Sequence, residues 1–297
     1  MKGKYIWGFL FLLPVINFYV VLVFFPIFFS FFVSFREWNM LSYPWNSPFI
    51  GLRNYTNVFQ DQIFQKAFIN TFTFSLAIIF IGIPLALLIA VLLTKVRKNT
   101  FWRYVIFIPA ISPPIAIGMI WMYLFDPTYG PVNLILNFLK LPELEWLASP
   151  KHAMLAVIIV GIWSSLGLNS LIFYAGLQDI PQIYYEAAKI DGANALNRFL
   201  KITLPLLKPV TLFILITNII NSWQVFDLVI GLTGQKLATP GGPANSTQVV
   251  VLYMYQTAFR FLEMGKASAM AFILFTILFV FSCISLLSMY KGGFENV

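Results

Sequence analysis

"YYEAAKIDGANALNRF", Tyr184–Phe199, is a polar stretch rich in small residues that lies between two long apolar runs. Ile183, Ala187 and Ile190 recur at helical spacing, which predicts a short helix with one apolar face. Gly192 follows this helix and is suited to the left-handed conformation that ends one. Further apolar residues at helical spacing come after Gly192. The stretch therefore predicts a helix–turn–helix elbow.

The ends of the two elbow helices are also predicted. Asp179 is suited to cap the first helix, with Pro181 in its first turn, and Asp191 is suited to cap the second. Pro205 and Pro209 mark the turn into the next apolar run. The elbow then occupies residues 178–208.

The apolar runs on either side are long enough to cross a membrane. The chain has 297 residues, of which 60% are hydrophobic and 10% charged. That composition departs from the usual make-up of soluble domains. A span needs roughly 20 apolar residues to cross about 30 Å of hydrocarbon. Six runs of this kind predict an all-α membrane protein with six transmembrane helices: Ile6–Phe35, Phe68–Leu93, Tyr104–Phe125, Ala153–Leu177, Val210–Ile230 and Ala267–Tyr290.

The distribution of Lys and Arg predicts the orientation. With the N-terminus inside, the inner segments carry 11 Lys and Arg in 53 residues, whereas the outer segments carry 8 in 95. Cytoplasmic loops are enriched in these residues, so both termini and the elbow are predicted to be cytoplasmic. Anionic lipid accounts for the formal charge of +8 without a nucleic-acid partner. The inner segments are 1–5, 94–103, 178–208 and 291–297.

Several kinds of chemistry are excluded by residue types. Cys283 is the only cysteine and His152 the only histidine, so neither an internal disulfide nor a cysteine metal cluster is possible. Gly265–Lys266 is the nearest fragment of a phosphate-binding loop, but the rest of that motif is missing. No catalytic residue, metal or bound cofactor is predicted for this chain.

Polar and aromatic side chains cluster in the fourth and fifth spans. On one continuous helix, Asn221, Gln224 and Asp227 follow each other at steps of three and share a face. Amides bond to hydroxyl groups and aromatic rings stack on sugars, which favours a carbohydrate pathway. Bonding between helices is the alternative for each residue. The candidate pathway residues are Trp163, Asn169, Asn221, Trp223, Gln224, Phe226 and Asp227.

The residues of the spans disfavour two alternatives to a neutral-carbohydrate pathway: an ion-coupled carrier and an anionic solute. Asp227 suggests an ion-coupled carrier, but the spans hold neither a second acid nor a histidine to relay a proton, and no matched pair of broken spans is evident. No Lys or Arg lies in the six runs, which favours a neutral solute over an anionic one.

"EAAKIDGANALNRFLKITLP", Glu186–Pro205, resembles the EAA motif in the membrane subunits of ATP-binding-cassette importers. Other stretches resemble the carbohydrate-uptake, MalF-like permeases: "GLRNYTNVF", "FIPAISPPIAIGMIWMYLFDPTYGPVN", "GGPANST" and "YQTAFRFLEMGKASAMA". The resemblance covers essentially the whole chain. It implies the type I importer permease fold, with residues 1–297 as one permease domain in a bacterial or archaeal cytoplasmic membrane.

The resemblance also implies a role for the elbow and a set of partners. In this family the elbow is the coupling helix that docks on the ATPase. The alternative interpretation, from the residues alone, is an amphipathic interfacial loop that binds no partner. The implied partners are a second permease, two ATP-binding subunits that hold ATP and magnesium, and an external solute-binding protein. The implied solute is a mono- or oligosaccharide, with a glycerol phosphate or other polyol as the alternative. The implied coupling residues are Tyr185, Glu186, Ala187, Ala188, Asp191, Gly192 and Ala193.

One loop departs from the family pattern. The usual "LTxGGP" is replaced by "GLTGQKLATPGGP", Gly231–Pro243, with extra residues at 234–241. The resemblance therefore implies little about how a binding protein docks at this outer loop.

Overall fold

The computed structural model describes residues 2–96, 99–234 and 240–293. The regular elements of these residues are helices, and an isolated bridge joins Arg36 and Phe49. The prediction of an all-α protein is confirmed. The α-helices are α1 (Lys2–Tyr19), α2 (Phe25–Ser34), α3 (Arg53–Gln60), α4 (Gln62–Ala77), α5 (Ile83–Lys95), α6 (Asn99–Ile111), α7 (Pro114–Leu124), α8 (Pro131–Phe138), α9 (Ala153–Gln178), α10 (Gln182–Ile190), α11 (Ala195–Arg198), α12 (Leu204–Leu206), α13 (Lys208–Trp223), α14 (Asp227–Thr233), α15 (Val250–Phe259) and α16 (Met264–Gly293).

In the part of the chain that the structure describes, four continuous helical stretches are long and apolar enough to cross a membrane. They correspond to the first, second, fourth and sixth predicted spans. Two bent helix pairs bring the total to six only if each pair counts as one span. The four stretches are Phe11–Ser34, Gln62–Lys95, Ala153–Gln178 and Met264–Ser285.

The third predicted span is not one straight helix. Its halves, Thr100–Ile111 and Pro114–Leu124, meet at an angle of 99°. Pro113 and Pro114 cause the break, because neither has a backbone N–H to continue the helical bonds and each restricts the residue before it. The run Tyr104–Phe125 is therefore not one straight helix, and it counts as one span only if the bent pair is taken together.

The fifth predicted span is broken as well. The helix α13 ends at Trp223 and α14 begins at Asp227, while Phe226 has non-helical torsions of φ −147° and ψ −62°. A bend of 65° at Leu207 separates α13 from the preceding stretch Ala195–Leu206. The predicted continuous helix over Val210–Ile230 is wrong, and so is the single helical stripe predicted from it.

Within the described residues, three helical stretches contain a π-helical turn that ends just before a proline. These turns cover Val20–Phe24, Ile78–Gly82 and Phe199–Thr203, and Pro26, Pro84 and Pro205 follow. A proline removes one donor from the helix, so a local π-turn lets the helix continue past it. Pro26 and Pro84 therefore change the helical bonding without ending their apolar stretches, whereas the helix that contains Pro205 ends at Leu206.

The chain divides into two compact units. One consists of residues 1–62 and 253–276, and the other of residues 63–252 and 277–297. The prediction of one permease domain over residues 1–297 stays a prediction. Among its described residues, the larger unit has an apolar core around Phe125, Val157 and Leu232 and another around Phe173 and Leu207.

The two half-helices α7 and α14 pack backbone to backbone within the larger unit. A methyl group built on Gly118 would lie 2.8 Å from the Cα of Gly231, and one built on Gly231 would lie 2.4 Å from the carbonyl oxygen of Ile115. No larger residue fits this crossing without a shift of the backbone. Because Gly118 and Gly231 have no side chains, the backbones of α7 and α14 can approach each other closely.

Candidate functional site

The elbow predicted from the sequence is present. The helix α10 ends at Ile190, and Gly192 has the left-handed torsion φ +76°. The N–H of Ala193 donates to the carbonyl of Ala188 at 2.8 Å, and the N–H of Gly192 donates to that of Lys189 at 3.1 Å. This pair of bonds is the Schellman motif, in which a left-handed residue closes a helix. The predicted role of Gly192 in the turn is confirmed.

The starts of the elbow helices differ from the prediction. Asn194, not Asp191, caps α11: its side-chain oxygen accepts a hydrogen bond of 2.8 Å from the N–H of Asn197. Asp179 is the C-cap of α9, and Pro181 occupies the N-cap position of α10. The Schellman motif takes up the residues directly after α10, so α11 starts later than predicted.

The elbow is anchored on one side and exposed on the other. Tyr185 shares a hydrogen bond of 2.9 Å with Thr203 and packs against the core around fully buried Leu207. On the opposite side Ile183 and Ile190 are exposed, Ile190 by 87%. Of the predicted coupling residues, Glu186, Ala187, Asp191 and Gly192 are exposed, whereas Tyr185, Ala188 and Ala193 are partly buried.

A cavity of about 350 Å³ lies at the two helix breaks of the larger unit. Pro114 borders it at the start of α7, and Gln224, Val225 and Phe226 border it at the break before α14. Non-helical backbone at membrane depth is tolerated where it lines a cavity or is buried in protein. The remaining lining residues are Phe74, Ile78, Gly161, Ser164, Ser165, Asn218, Asn221, Ser222, Asp227 and Leu228.

Three polar side chains of this lining make no hydrogen bond within the described part of the chain. Asn221, Gln224 and Asp227 are all exposed to the cavity side. The break in the helix, rather than one helical face, brings them together. Among the described lining residues Asp227 is the only charged one. These three groups are available to a solute or to another subunit.

The other polar residues nearby are bonded between helices. Asn169 on α9 and Asn218 on α13 donate to each other at 3.1 and 3.0 Å, and both are buried. Ser222 donates to Ser75 at 2.8 Å. Interhelical bonds of this kind stabilise membrane helix packing. Asn169 therefore makes the interhelical bonds that were the alternative to a place in the pathway.

Two tryptophans predicted for the pathway lie outside the cavity lining. Trp223 is buried among the rings of Phe68, Phe72 and Phe281. Trp163 is partly exposed and contacts Trp121 edge to face, with ring centroids 5.4 Å apart. Phe226 is the one predicted aromatic residue in the lining. Whether each of these residues acts in transport stays a prediction.

Some lining residues were not identified from the sequence. Phe74 and Ile78 belong to an apolar run and carry no signal that separates them from lipid-facing neighbours. Pro114 carried a signal, because two consecutive prolines in an apolar run indicate a break. The extra loop at 234–241 includes residues 235–239, which lie outside the described residues.

The broken apolar helices, the cavity at the breaks and the exposed elbow define a multi-span membrane transport subunit. The chain belongs to the family of binding-protein-dependent transport system inner membrane components, whose model matches residues 82–291. It is therefore a multi-pass component of a membrane transport system that depends on a binding protein.

Individual relatives match along most of their length. The trehalose/maltose transport system permease protein MalF of Thermococcus litoralis is 32% identical, over 94% of this chain and 92% of the relative. The arabinooligosaccharides transport system permease protein AraP of Bacillus subtilis is 33% identical, over 97% of this chain and 89% of the relative.

A solved structure shares the fold. It is a bacterial alginate ABC transporter in complex with an alginate pentasaccharide-bound periplasmic protein, and one of its chains matches with a TM-score of 0.82. The match is 20% identical and covers 98% of this chain and 96% of the other. The predicted type of fold is confirmed by this likeness.

Proposed function

We propose that this chain is the permease subunit of an ATP-binding-cassette importer for a neutral mono- or oligosaccharide. It forms half of the translocation pathway, and a second permease forms the other half. A solute-binding protein delivers the sugar from outside, and two ATP-binding subunits supply the energy. The names of the relatives support a saccharide, since they include transporters of trehalose or maltose and of arabinooligosaccharides.

The observation that carries the proposal is the set of unbonded polar groups at the helix break. Asn221 and Gln224 offer amide donors and acceptors to hydroxyl groups, and Phe226 offers a ring beside them. The described lining contains no Lys or Arg to neutralise a phosphate, whereas Asp227 would repel one. A neutral saccharide therefore fits this half of the pathway better than a glycerol phosphate.

The exposed elbow supports the assignment of the ATPase contact. Two backbone hydrogen bonds close its Schellman turn, and its small side chains at Ala187 and Ala188 allow close approach of another subunit. Exposed Ile183 and Ile190 supply the apolar contact that such an interface buries. We assign Tyr185–Ala193 to the docking surface for the ATP-binding subunit, on the cytoplasmic side.

The proposal is tested with the native complex in proteoliposomes, together with its binding protein. ATPase activity is measured with a panel of neutral saccharides and with glycerol 3-phosphate. We expect one or more neutral saccharides to stimulate hydrolysis and to accumulate inside the vesicles. Stimulation by glycerol 3-phosphate alone would exclude the sugar assignment, and uptake without ATP would exclude the importer class.

The orientation is tested by cysteine labelling in a Cys283→Ser background. A cysteine at exposed Asn194 should react with an impermeant thiol reagent only from the cytoplasmic side. Thr239 is predicted to be outside but lies outside the described residues, so exposed Ala244 is the matched outer position. Labelling of Asn194 from outside would overturn the proposed orientation.

A further inference from the structure

The short helix α8 presents an apolar stripe to its surroundings. Phe138 is 86% exposed, Leu134 61% and Ile135 60%, and Leu139 and Leu141 next to them are also exposed. Leu134 and Phe138 stand at i and i+4, so they follow one another along one face of α8. These side chains are exposed on a helix whose opposite face is bonded to the rest of the protein.

The opposite side of α8 is fixed to the protein by one buried side chain. The amide of Asn133 donates to the carbonyls of Pro127 and Leu144 at 3.3 and 3.0 Å. Its oxygen accepts from the N–H of Leu144 at 3.3 Å and from the indole N–H of Trp146 at 2.9 Å. Val132 and Leu136 pack against the core beside it. These contacts fix which face of α8 points outward.

The C-terminal end of α8 is closed in the same way as the elbow helix. Lys140 has φ +56°, and the N–H of Leu141 donates to the carbonyl of Leu136 at 2.8 Å. A left-handed residue other than glycine is strained by about 1–2 kcal/mol, and the closing backbone hydrogen bond between Leu141 and Leu136 helps to offset this strain. Leu141 and Lys140 are both exposed at this end of α8.

The apolar composition of the stripe indicates what covers it. A soluble binding protein docks and dissociates during transport. If it covered the stripe, each dissociation would expose this apolar patch to water, which is unfavourable. The segment that leads into α8 also exposes apolar and aromatic side chains: Ile120 and Tyr123 on α7 and Tyr129 before α8 are all exposed. Tyrosines favour the boundary between lipid and water. Lipid is therefore the occupant that matches the chemistry.

We propose that α8 lies at the membrane–water interface on the external side of the cytoplasmic membrane, parallel to the bilayer. Its apolar stripe lies in the acyl chains and Lys140 lies among the headgroups. Apolar burial of an amphipathic helix in this region is a recognised form of membrane anchoring. The anchor sets the depth of α7, which precedes α8 and borders the cavity through Pro114. This inference rests on the family and the proposed orientation, and not on the identity of the solute.

The test uses nitroxide labels on single cysteines in a Cys283→Ser background, in the complete complex reconstituted into nanodiscs. Labels at Ile135 and Phe138 are compared with a label at exposed Glu143, on the polar segment after α8. Power saturation measures collisions with oxygen, which concentrates in lipid, and with a water-soluble nickel chelate. We expect the oxygen-to-nickel ratio to be several-fold higher at Ile135 and Phe138 than at Glu143.

Two other results would overturn the inference. A ratio at Phe138 equal to that at Glu143 would place the stripe in water. Low collision rates with both reagents would show that protein, such as the second permease, covers it. If the Phe138→Cys complex does not assemble, the Ile135 label makes the same comparison. Sugar-stimulated ATPase is measured in parallel, so that failure of the anchor is distinguished from failure of the proposed function.

Discussion

Asn169 and Asn218 donate to each other across α9 and α13, and each amide oxygen accepts one of these bonds. Asn218 also donates to the carbonyl of Ile214 at 2.8 Å. Loss of one partner leaves the other amide buried without this bond, whereas loss of both removes the unsatisfied groups. The pair therefore ties two helices together beside the cavity.

The first prediction concerns this pair. We expect Asn169→Leu to lower the free energy of unfolding by about 1–2 kcal/mol, because interhelical hydrogen bonds in membranes are worth about 0.6 kcal/mol on average and up to about 1.7 and the orphaned amide adds a penalty. The double variant Asn169→Leu/Asn218→Leu should be more stable than that single variant. Unfolding of the purified complex is followed against temperature. The pairing would be contradicted if the stability lost in the double variant equalled the sum of the losses in the two single variants.

The second prediction concerns the crossing of α7 and α14. Gly118→Ala should destabilise the chain by about 1–3 kcal/mol, since overpacking against backbone cannot be relieved by turning a side chain. Gly82→Ala is the matched control, because a methyl group there meets only side-chain atoms at 3.8–3.9 Å. Thermal unfolding of both variants is compared in detergent. Equal stability of the two would show that the backbones of α7 and α14 are not in contact.

The third prediction concerns the turn of the elbow. A methyl group on Gly192 would meet nothing within 4 Å, so only the torsion φ +76° restricts this position. Gly192→Val should cost roughly 1–2 kcal/mol or more at the turn and uncouple ATP hydrolysis from uptake. Gly192→Asn, which tolerates the left-handed region, should remain coupled. Sugar-stimulated ATPase and uptake are measured together. Normal coupling in the valine variant would refute the assignment of the elbow.

The fourth prediction concerns the polar cluster of the smaller unit. Asp61 accepts hydrogen bonds of 2.6 Å from both Tyr253 and Lys266. Burial, followed by the neighbouring Asp61 carboxylate, raises the pKa of Tyr253 well above its ordinary value. Tyr253 therefore stays protonated in the folded state at a pH where tyrosines of the unfolded chain ionise, above about 10.

The sign of the effect follows from proton binding. Between the two pKa values the folded state holds one more proton than the unfolded state, so the free energy of unfolding falls as the pH rises. The contribution of Tyr253 is complete below pH of about 10 and is lost above it. Tyr253→Phe should reduce this alkaline loss of stability, measured by unfolding between about pH 9 and 11.5. An unchanged slope would contradict the raised pKa of Tyr253.

The sequence predicted the parts of this fold whose signals are local. Apolar length alone predicted the helices Ala153–Gln178 and Met264–Gly293 to within a few residues. Gly192 predicted the turn of the elbow, because few other residues adopt its torsion readily. The position of the second elbow helix was displaced, since the closing bonds after Ile190 extend the turn.

The breaks at the cavity were missed for different reasons. Pro113 and Pro114 signalled the first break, but proline kinks are common in membrane helices and do not by themselves predict an angle of 99°. The second break, at Gln224–Phe226, contains neither glycine nor proline. It depends on packing, since α14 lies against α7 at Gly118 and Gly231. Sequence periodicity does not report a contact so distant along the chain.

The last prediction is that Asn221 and Gln224 contact the solute. Both side chains face the cavity and make no hydrogen bond within the described part of the chain, so neither holds a helix in place there. A hydrogen bond to an uncharged hydroxyl is worth only about 0.5–1.5 kcal/mol net. Asn221→Ala and Gln224→Ala should therefore slow sugar uptake several-fold while basal ATPase and assembly persist. Thr217→Val is the control, because Thr217 bonds to its own helix and does not line the cavity. Uptake is measured in proteoliposomes with the binding protein at saturation, and assembly by size-exclusion chromatography. Wild-type uptake in both alanine variants, or losses explained by dissociated subunits, would place the solute contacts elsewhere in the pathway.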